Sequence, residues 1–144
     1  MNNTLTLQVT RLDPQVPLPS YGYAGDAACD LFASREVTVA PGERVQVPTG
    51  IAMAIPDGYV GLVWDKSGLS HRHGLKTLGG VIDSGYRGEV MVGIVNLSDE
   101  SYTFEKYHKV AQLVVQRKEM VEIVEVDALE DAERGDRGFG SSGK

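Results

Sequence analysis

Apolar residues in this chain recur with period two in short runs, and proline or glycine cuts off almost every run. The runs cover residues 37–39, 45–47, 51–55, 60–64, 90–95 and 121–126. Alternation at this period puts successive side chains on opposite faces of an extended backbone, so each run predicts a half-buried strand. Between them stand Pro41-Gly42, Pro48-Thr49-Gly50, Pro56-Asp57-Gly58 and Ser84-Gly85. Proline lacks a ladder donor and glycine tolerates turn backbone, so these predict turns rather than strand interiors. Many short strands at such spacing point to an all-β sandwich, barrel or jelly roll. One short helix is expected in residues 67–73, with Ser67 placed to cap one or two turns.

A chain of 144 residues fits one domain, and a chain of this size buries roughly 68–70% of its unfolded surface on one core. Its apolar runs are only a few residues long, and Met1, Asn2, Asn3 and Thr4 lack the basic, apolar and cleavage-site segments of a secretory leader. No membrane span and a cytoplasmic location are therefore expected. The one cysteine, Cys29, excludes an internal disulfide and reads as a small buried apolar residue in a reducing compartment. A net charge of −6 argues against nucleic-acid binding, which needs a surplus of lysine and arginine. A phosphate-bearing ligand needs local cations instead, and Lys66, Arg72, Arg87, Arg134 and Arg137 lie near glycine-rich turns.

Three segments carry candidate chemistry. Residues 79–89 place Asp83, Tyr86 and Arg87 on a glycine-flanked hairpin, whose backbone can read the edge of a pyrimidine while Asp83 holds a water. A charged β-turn with Asp83 capping its own backbone is the plainer reading of that hairpin. The start of the helix at Ser67 offers free N–H groups and a positive dipole end to a phosphate. Residues 134–144 hold four glycines, two serines, Arg134, Arg137 and the lone ring Phe139. So much glycine makes this an arm that is mobile when empty, yet its ring and cations suit an aromatic base bearing phosphates. Asp26 and Asp30 are weaker candidates, since a magnesium ion keeps several waters and borrows oxygens from phosphates. His71 and His73 lack the companions of a zinc site, and Trp64 reads as packing.

Taken together, these segments resemble the five ordered motifs of the trimeric dUTPase family, from Gly25 to Lys144. The most specific are Gly-Val-Ile-Asp-x-x-Tyr-Arg-Gly at 80–88 and Arg-Gly-x-x-Gly-Phe-Gly-Ser-Ser-Gly at 134–143. The resemblance implies a jelly-roll subunit at residues 1–133, an arm at residues 134–144, and a homotrimer with active sites shared between copies. It implies hydrolysis of dUTP to dUMP and pyrophosphate with Mg2+, which limits uracil in DNA and supplies dUMP for thymidylate synthesis. By position, Asp30 belongs to the magnesium environment through water, and Lys66, Ser67 and Gly68 to the phosphates. Asp83 orients the attacking water, with Gln112 assisting near the phosphates. The backbone of Gly79, Gly80, Val81 and Ile82 binds uracil, and Tyr86 packs under the deoxyribose and excludes a 2′-hydroxyl. In the arm Phe139 stacks on uracil, followed by Gly140, while Arg134, Ser141 and Ser142 meet the terminal phosphates.

The chain departs from the family pattern in places. Lys66 stands where arginine is usual, with Asp65 in place of a neutral neighbour; Tyr107-His108-Lys109 stands for Gly-Asp-Arg; Ala28 replaces a glycine, and Arg137 adds a cation. Lysine keeps the charge but loses the two-pronged geometry of arginine. Two rival readings remain: a dCTP deaminase-like enzyme of the same fold, expected to lack this arm, and a non-catalytic regulator that binds dUTP.

Overall fold

The computed structural model describes residues 4–143; the leaderless start read at residues 1–3 and the last arm residue, Lys144, lie outside the described residues. Strands and helix follow as β1 (Gln8–Arg11), β2 (Cys29–Phe32), β3 (Val37–Val39), β4 (Arg44–Ala54), β5 (Tyr59–Trp64), α1 (Ser67–His73), β6 (Leu75–Leu78), β7 (Val81–Ile82), β8 (Glu89–Asn96), β9 (Tyr102–Phe104) and β10 (Lys109–Arg117). They form two four-stranded antiparallel sheets, ordered β1-β4-β8-β6 and β2-β10-β5-β7, with a β3-β9 ribbon beside them. This is the β-rich fold with one short helix that the alternation implied.

In β8 the alternation is literal: Val90, Val92, Ile94 and Asn96 are buried while Met91 is exposed. Leu31, Val47, Ile51, Phe104 and Leu113 join the β8 side chains, so both sheets and the ribbon feed one cluster. Each such side chain contributes about 1.5–3 kcal/mol on leaving water, a driving force that acts on the whole assembly rather than on any one strand. Buried Asn96 is satisfied by the Val39 and Glu100 carbonyls, at 3.1 and 2.7 Å.

The structure corrects four local expectations. The hairpin segment 79–89 is not a paired hairpin: β7 pairs with β5 in one sheet and β8 with β4 and β6 in the other, so the segment is a loop crossing between sheets, with a tight turn where Tyr86 N–H donates to the Asp83 carbonyl. Pro48-Thr49-Gly50 is not a turn; it lies inside β4, which runs through both predicted strands 45–47 and 51–55. The β4–β8 register slips between Pro48 and Ala52, and the missing ladder bonds are replaced by Thr49 Oγ1 donating to the Val90 carbonyl at 2.6 Å and Gly50 N–H donating to Glu89 at 2.9 Å. A bulge thus accommodates a proline that a regular central strand could not. Residues 121–126 form no strand, because none of the described residues pairs with them; every residue from 119 to 143 is exposed, including Ile123 at 92%. Ser67 is the first helical residue rather than the cap, a place held by Lys66 in extended conformation through its backbone.

Candidate active site

The sequence-predicted site residues fall into three places. Asp30, Lys66 and Gln112 line one cleft of about 550 Å3, together with Tyr23, Asp26, Trp64 and Lys109. Gly80, Val81, Ile82, Asp83 and Tyr86 line another of about 220 Å3. Arg134, Ser141 and Ser142 surround a third hollow within the arm itself, beside Glu133 and Arg137.

The first cleft is built on charge. Asp30 sits on β2 directly opposite Gln112 of β10, which in turn pairs with Trp64 of β5. Its buried carboxylate accepts from Lys66 Nζ at 2.5 Å and from Lys109 Nζ at 2.9 Å, one lysine on each oxygen. Burial by itself would raise the Asp30 carboxyl, but hydrogen bonds and charge from the two lysines outweigh it and hold the group below the ordinary carboxylate range. The two lysines give an acidic chain a local pair of cations for a phosphate, although Asp26 and Asp30 in the same lining balance them in formal charge. Gln112 donates from Nε2 to the Asp65 carbonyl at 2.7 Å, which fixes the amide orientation.

The second cleft is built on backbone. Gly79 and Gly80 carry φ of +68° and +105° between β6 and β7, where side-chain-bearing residues are strained. A Cβ on Gly80 would stand 2.9 Å from the Val63 carbonyl oxygen, so the hairpin approaches β5 as closely as glycine alone permits. The Gly80 carbonyl accepts from Val63 N–H at 2.8 Å. A ligand edge must therefore be read by the other hairpin groups. Tyr86 folds over Gly88, where any Cβ would collide with its ring and hydroxyl, and its hydroxyl donates to the Glu89 carbonyl at 2.9 Å. These contacts fix the plane of the Tyr86 ring.

Val63 lines the hairpin cleft and Trp64 the charged cleft. Adjacent residues of a strand face opposite sides, so the two clefts flank β5 rather than merge. Ser67 and Gly68 begin α1 beside Lys66, while Gly79 opens the hairpin. In the arm, Phe139 is wholly exposed and Gly140 has a φ of +77°. Arg134 and Arg137 are engaged with carbonyls of the arm itself.

Sequence reasoning missed three cleft residues. Trp64, read as packing, is 53% exposed on the cleft. Lys109 appeared only as a departure from a motif; its partnership with Asp30 depends on the β2–β10 register, which no local pattern reveals. Tyr23, on the loop before β2, also went unremarked, although the sequence offers no signal beyond its neighbouring glycines.

For a metal, the described residues hold no group of three or more His, Cys, Asp or Glu side chains able to cage an ion. Both Asp30 oxygens are occupied by lysines, so the donor set fits an ion carried mainly by phosphate oxygens and water. No helix of the described residues is long and apolar enough to cross a membrane.

A family model described as dUTPase matches residues 14–143. The deoxyuridine 5′-triphosphate nucleotidohydrolase of Mycolicibacterium gilvum is 48% identical over 96% of this chain and 95% of its own length. Among solved structures, the dUTPase of Staphylococcus bacteriophage 80alpha with dUPNHPP superposes with a TM-score of 0.90, at 33% identity over 98% of this chain and all of that one. A mutant dUTPase from phage phi11 of S. aureus, in which a structural Mg(II) ion is coordinated, gives a TM-score of 0.81 at 28% identity, covering 88% of this chain and 99% of that chain.

Proposed function

Because this chain belongs to the dUTPase family, we propose that it cuts dUTP to dUMP and pyrophosphate at a site assembled from its two clefts and its arm. The observation that carries the assignment of roles is the division itself: a backbone-built hairpin cleft on one side of β5 and, on the other, a cleft where two lysines converge on Asp30 beside Gln112.

The hairpin takes the nucleoside. Backbone groups of Gly79, Val81 and Ile82 read uracil, with Gly80 supplying the close approach. Cytosine presents the opposite donor pattern and leaves buried groups unpaired, which is costly. The ring of Tyr86, locked by Gly88 and the Glu89 carbonyl, packs under the deoxyribose and leaves no room for a 2′-hydroxyl. Asp83 holds a water for in-line attack on the α-phosphorus. An ordinary carboxylate is a weak base at neutral pH, so its main contribution is position.

The charged cleft takes the phosphates. Lys66, Ser67 and Gly68 supply a cation and N–H groups, and Gln112 presents its remaining amide atoms to the departing pyrophosphate. Phe139 of the arm stacks on uracil, and Arg134, Gly140, Ser141 and Ser142 close over the terminal phosphates. A bound Mg2+ would neutralise phosphate charge, held mainly by phosphate oxygens and water, with Asp30 as the carboxylate its water would reach.

Completing a site from clefts on opposite sides of β5 calls for more than one copy, and a homotrimer supplies it. The exposed alternating segment 121–126 supports this reading, because it carries the pattern of a strand without a sheet edge to join. Sedimentation at three times the chain mass is the expected result. A soluble, cytoplasmic enzyme of deoxynucleotide metabolism accords with the sequence.

The test is chromatographic. The purified protein is incubated with dUTP, dTTP, dCTP or UTP, with and without Mg2+, beside Asp83→Asn. Magnesium-dependent dUMP and pyrophosphate from dUTP alone, lost in Asp83→Asn, is the expected outcome. Tight dUTP binding without turnover would point to a regulator, and dUTP formed from dCTP to a deaminase.

A further inference from the structure

Asp65, outside the roles assigned above, uses both oxygens of its side chain in hydrogen bonds beside the charged cleft. It follows β5 and precedes Lys66. Its Oδ1 accepts from Thr77 N–H at 2.6 Å and from Thr77 Oγ1 at 2.7 Å, and its Oδ2 accepts from Lys76 Nζ at 2.7 Å. Its own carbonyl accepts from Gln112 Nε2 at 2.7 Å. The side chain is 19% exposed.

These four bonds join three elements. β6 is the outer strand of its sheet, and the Thr77 N–H on its open edge would otherwise be left to water. Asp65 satisfies that donor and so sutures the edge of one sheet to the end of β5 in the other. The suture fixes the main chain on which Lys66 begins, and it holds the carbonyl that orients Gln112. Both side chains line the charged cleft. A carbonyl accepts only from a donor, so the Asp65 carbonyl also decides which end of the Gln112 amide faces it.

We infer that Asp65 is a positioning residue for the phosphate half of the site, acting through Lys66 and Gln112. The inference rests on the assignment of the charged cleft to the phosphates. Lys76 matters little to it, because an exposed ion pair contributes little in water. The Thr77 bonds carry the effect.

The test is steady-state release of pyrophosphate from dUTP, with deoxyuridine as a competitive inhibitor that reports the nucleoside half alone. Asp65→Ala is expected to raise KM for dUTP about tenfold, the effect of one or two lost charge-assisted hydrogen bonds. The inhibition constant of deoxyuridine should stay within about twofold of wild type, since its contacts are untouched. Asp65→Asn keeps an acceptor for Thr77 N–H and should recover KM to within about threefold, while Lys76→Met should leave it unchanged. If Asp65→Ala fails to fold, Thr77→Val removes one of the carboxylate's partners and should raise KM about threefold by the same route.

A KM unchanged in Asp65→Ala, or in Thr77→Val when that variant stands in, overturns the inference. A dUTP KM and deoxyuridine constant that worsen together also overturn it, since that is general loosening. Lys66→Met separates the two claims. If it raises KM while Asp65→Ala does not, only the positioning role is lost; if neither does, the assignment of the charged cleft falls as well.

Discussion

The hairpin cleft and the charged cleft lie on either side of one strand and are made by different means. The hairpin is a continuous stretch of chain shaped by glycine: Gly80 presses against the Val63 carbonyl and Gly88 lets Tyr86 fold over. The charged cleft draws Asp30, Lys66, Lys109 and Gln112 from segments far apart in sequence and holds them by charge and register. Backbone geometry fails abruptly when a single atom is added. Charged geometry fails gradually, and it fails with pH.

The largest expected effect tests the first half of that contrast. Gly80→Ala puts a Cβ against backbone that has no room to give, at a φ of +105°. It should cost about 2–3 kcal/mol in urea unfolding. Gly79→Ala, with a φ of +68° and open space around it, should cost only about 1 kcal/mol from backbone conformation. Equal costs at the two positions would mean that the approach to Val63 does not shape the hairpin.

Asp30→Asn tests the second half and should cost about 1–2 kcal/mol near neutral pH. The Asp30 carboxyl lies below its unfolded value of 3.8 in the fold. A depressed carboxylate stabilises the fold above the unfolded value, and this contribution is lost as pH falls through the lower, folded value. Wild type and Asp30→Asn should therefore differ near neutrality and converge below pH 3.8. A gap that stays constant with pH would remove the charge argument.

Tyr107 sharpens the comparison, because it brings backbone strain to the charged side. It is the one non-glycine at positive φ among the described residues, at +66°, in the turn that leads into Lys109. Its hydroxyl donates to Asp13 at 2.8 Å, which offsets part of the strain. Tyr107→Phe should cost about 1 kcal/mol, read by thermal unfolding.

Gly88→Ala should have the smallest effect on stability, within about 0.5 kcal/mol, because the Tyr86 ring it displaces is exposed and water can replace the lost bond to the Glu89 carbonyl. Its effect should appear in selectivity. With the Tyr86 ring pushed off the sugar site, hydrolysis of UTP should rise relative to dUTP.

The same contrast governs what could be read from the sequence. Residues 79–88 are contiguous, so glycine spacing, Asp83 and Tyr86 marked the segment as a ligand-facing turn, although its flanking strands part into different sheets instead of pairing as a hairpin, and the strict alternation of β8 announced its buried face. The charged cleft surfaced only in fragments: Asp30 was a weak candidate, Lys109 a departure and Trp64 a packing residue. Their meeting depends on strand register, which arises between segments and not within them. Pro48 misled for a related reason, since a lone proline in a β-rich chain reads as a turn unless a neighbour such as Glu89 is known to take up the unpaired backbone. The 121–126 run shows the converse. Its alternation is real, but alternation specifies a face and not who will cover it.

Cys29 offers a way to watch the arm. It is the chain's one cysteine, it is buried, and its thiol lies 3.6 Å from the Leu113 carbonyl. Burial raises the thiol above its usual ionisation range, so little reactive thiolate forms near neutral pH. The native protein should therefore be almost silent to thiol-directed dyes. A single substitution such as Asp136→Cys would then carry the only fluorophore, at a position exposed in the free arm, and its emission would follow the arm's approach and departure in real time without any background to subtract.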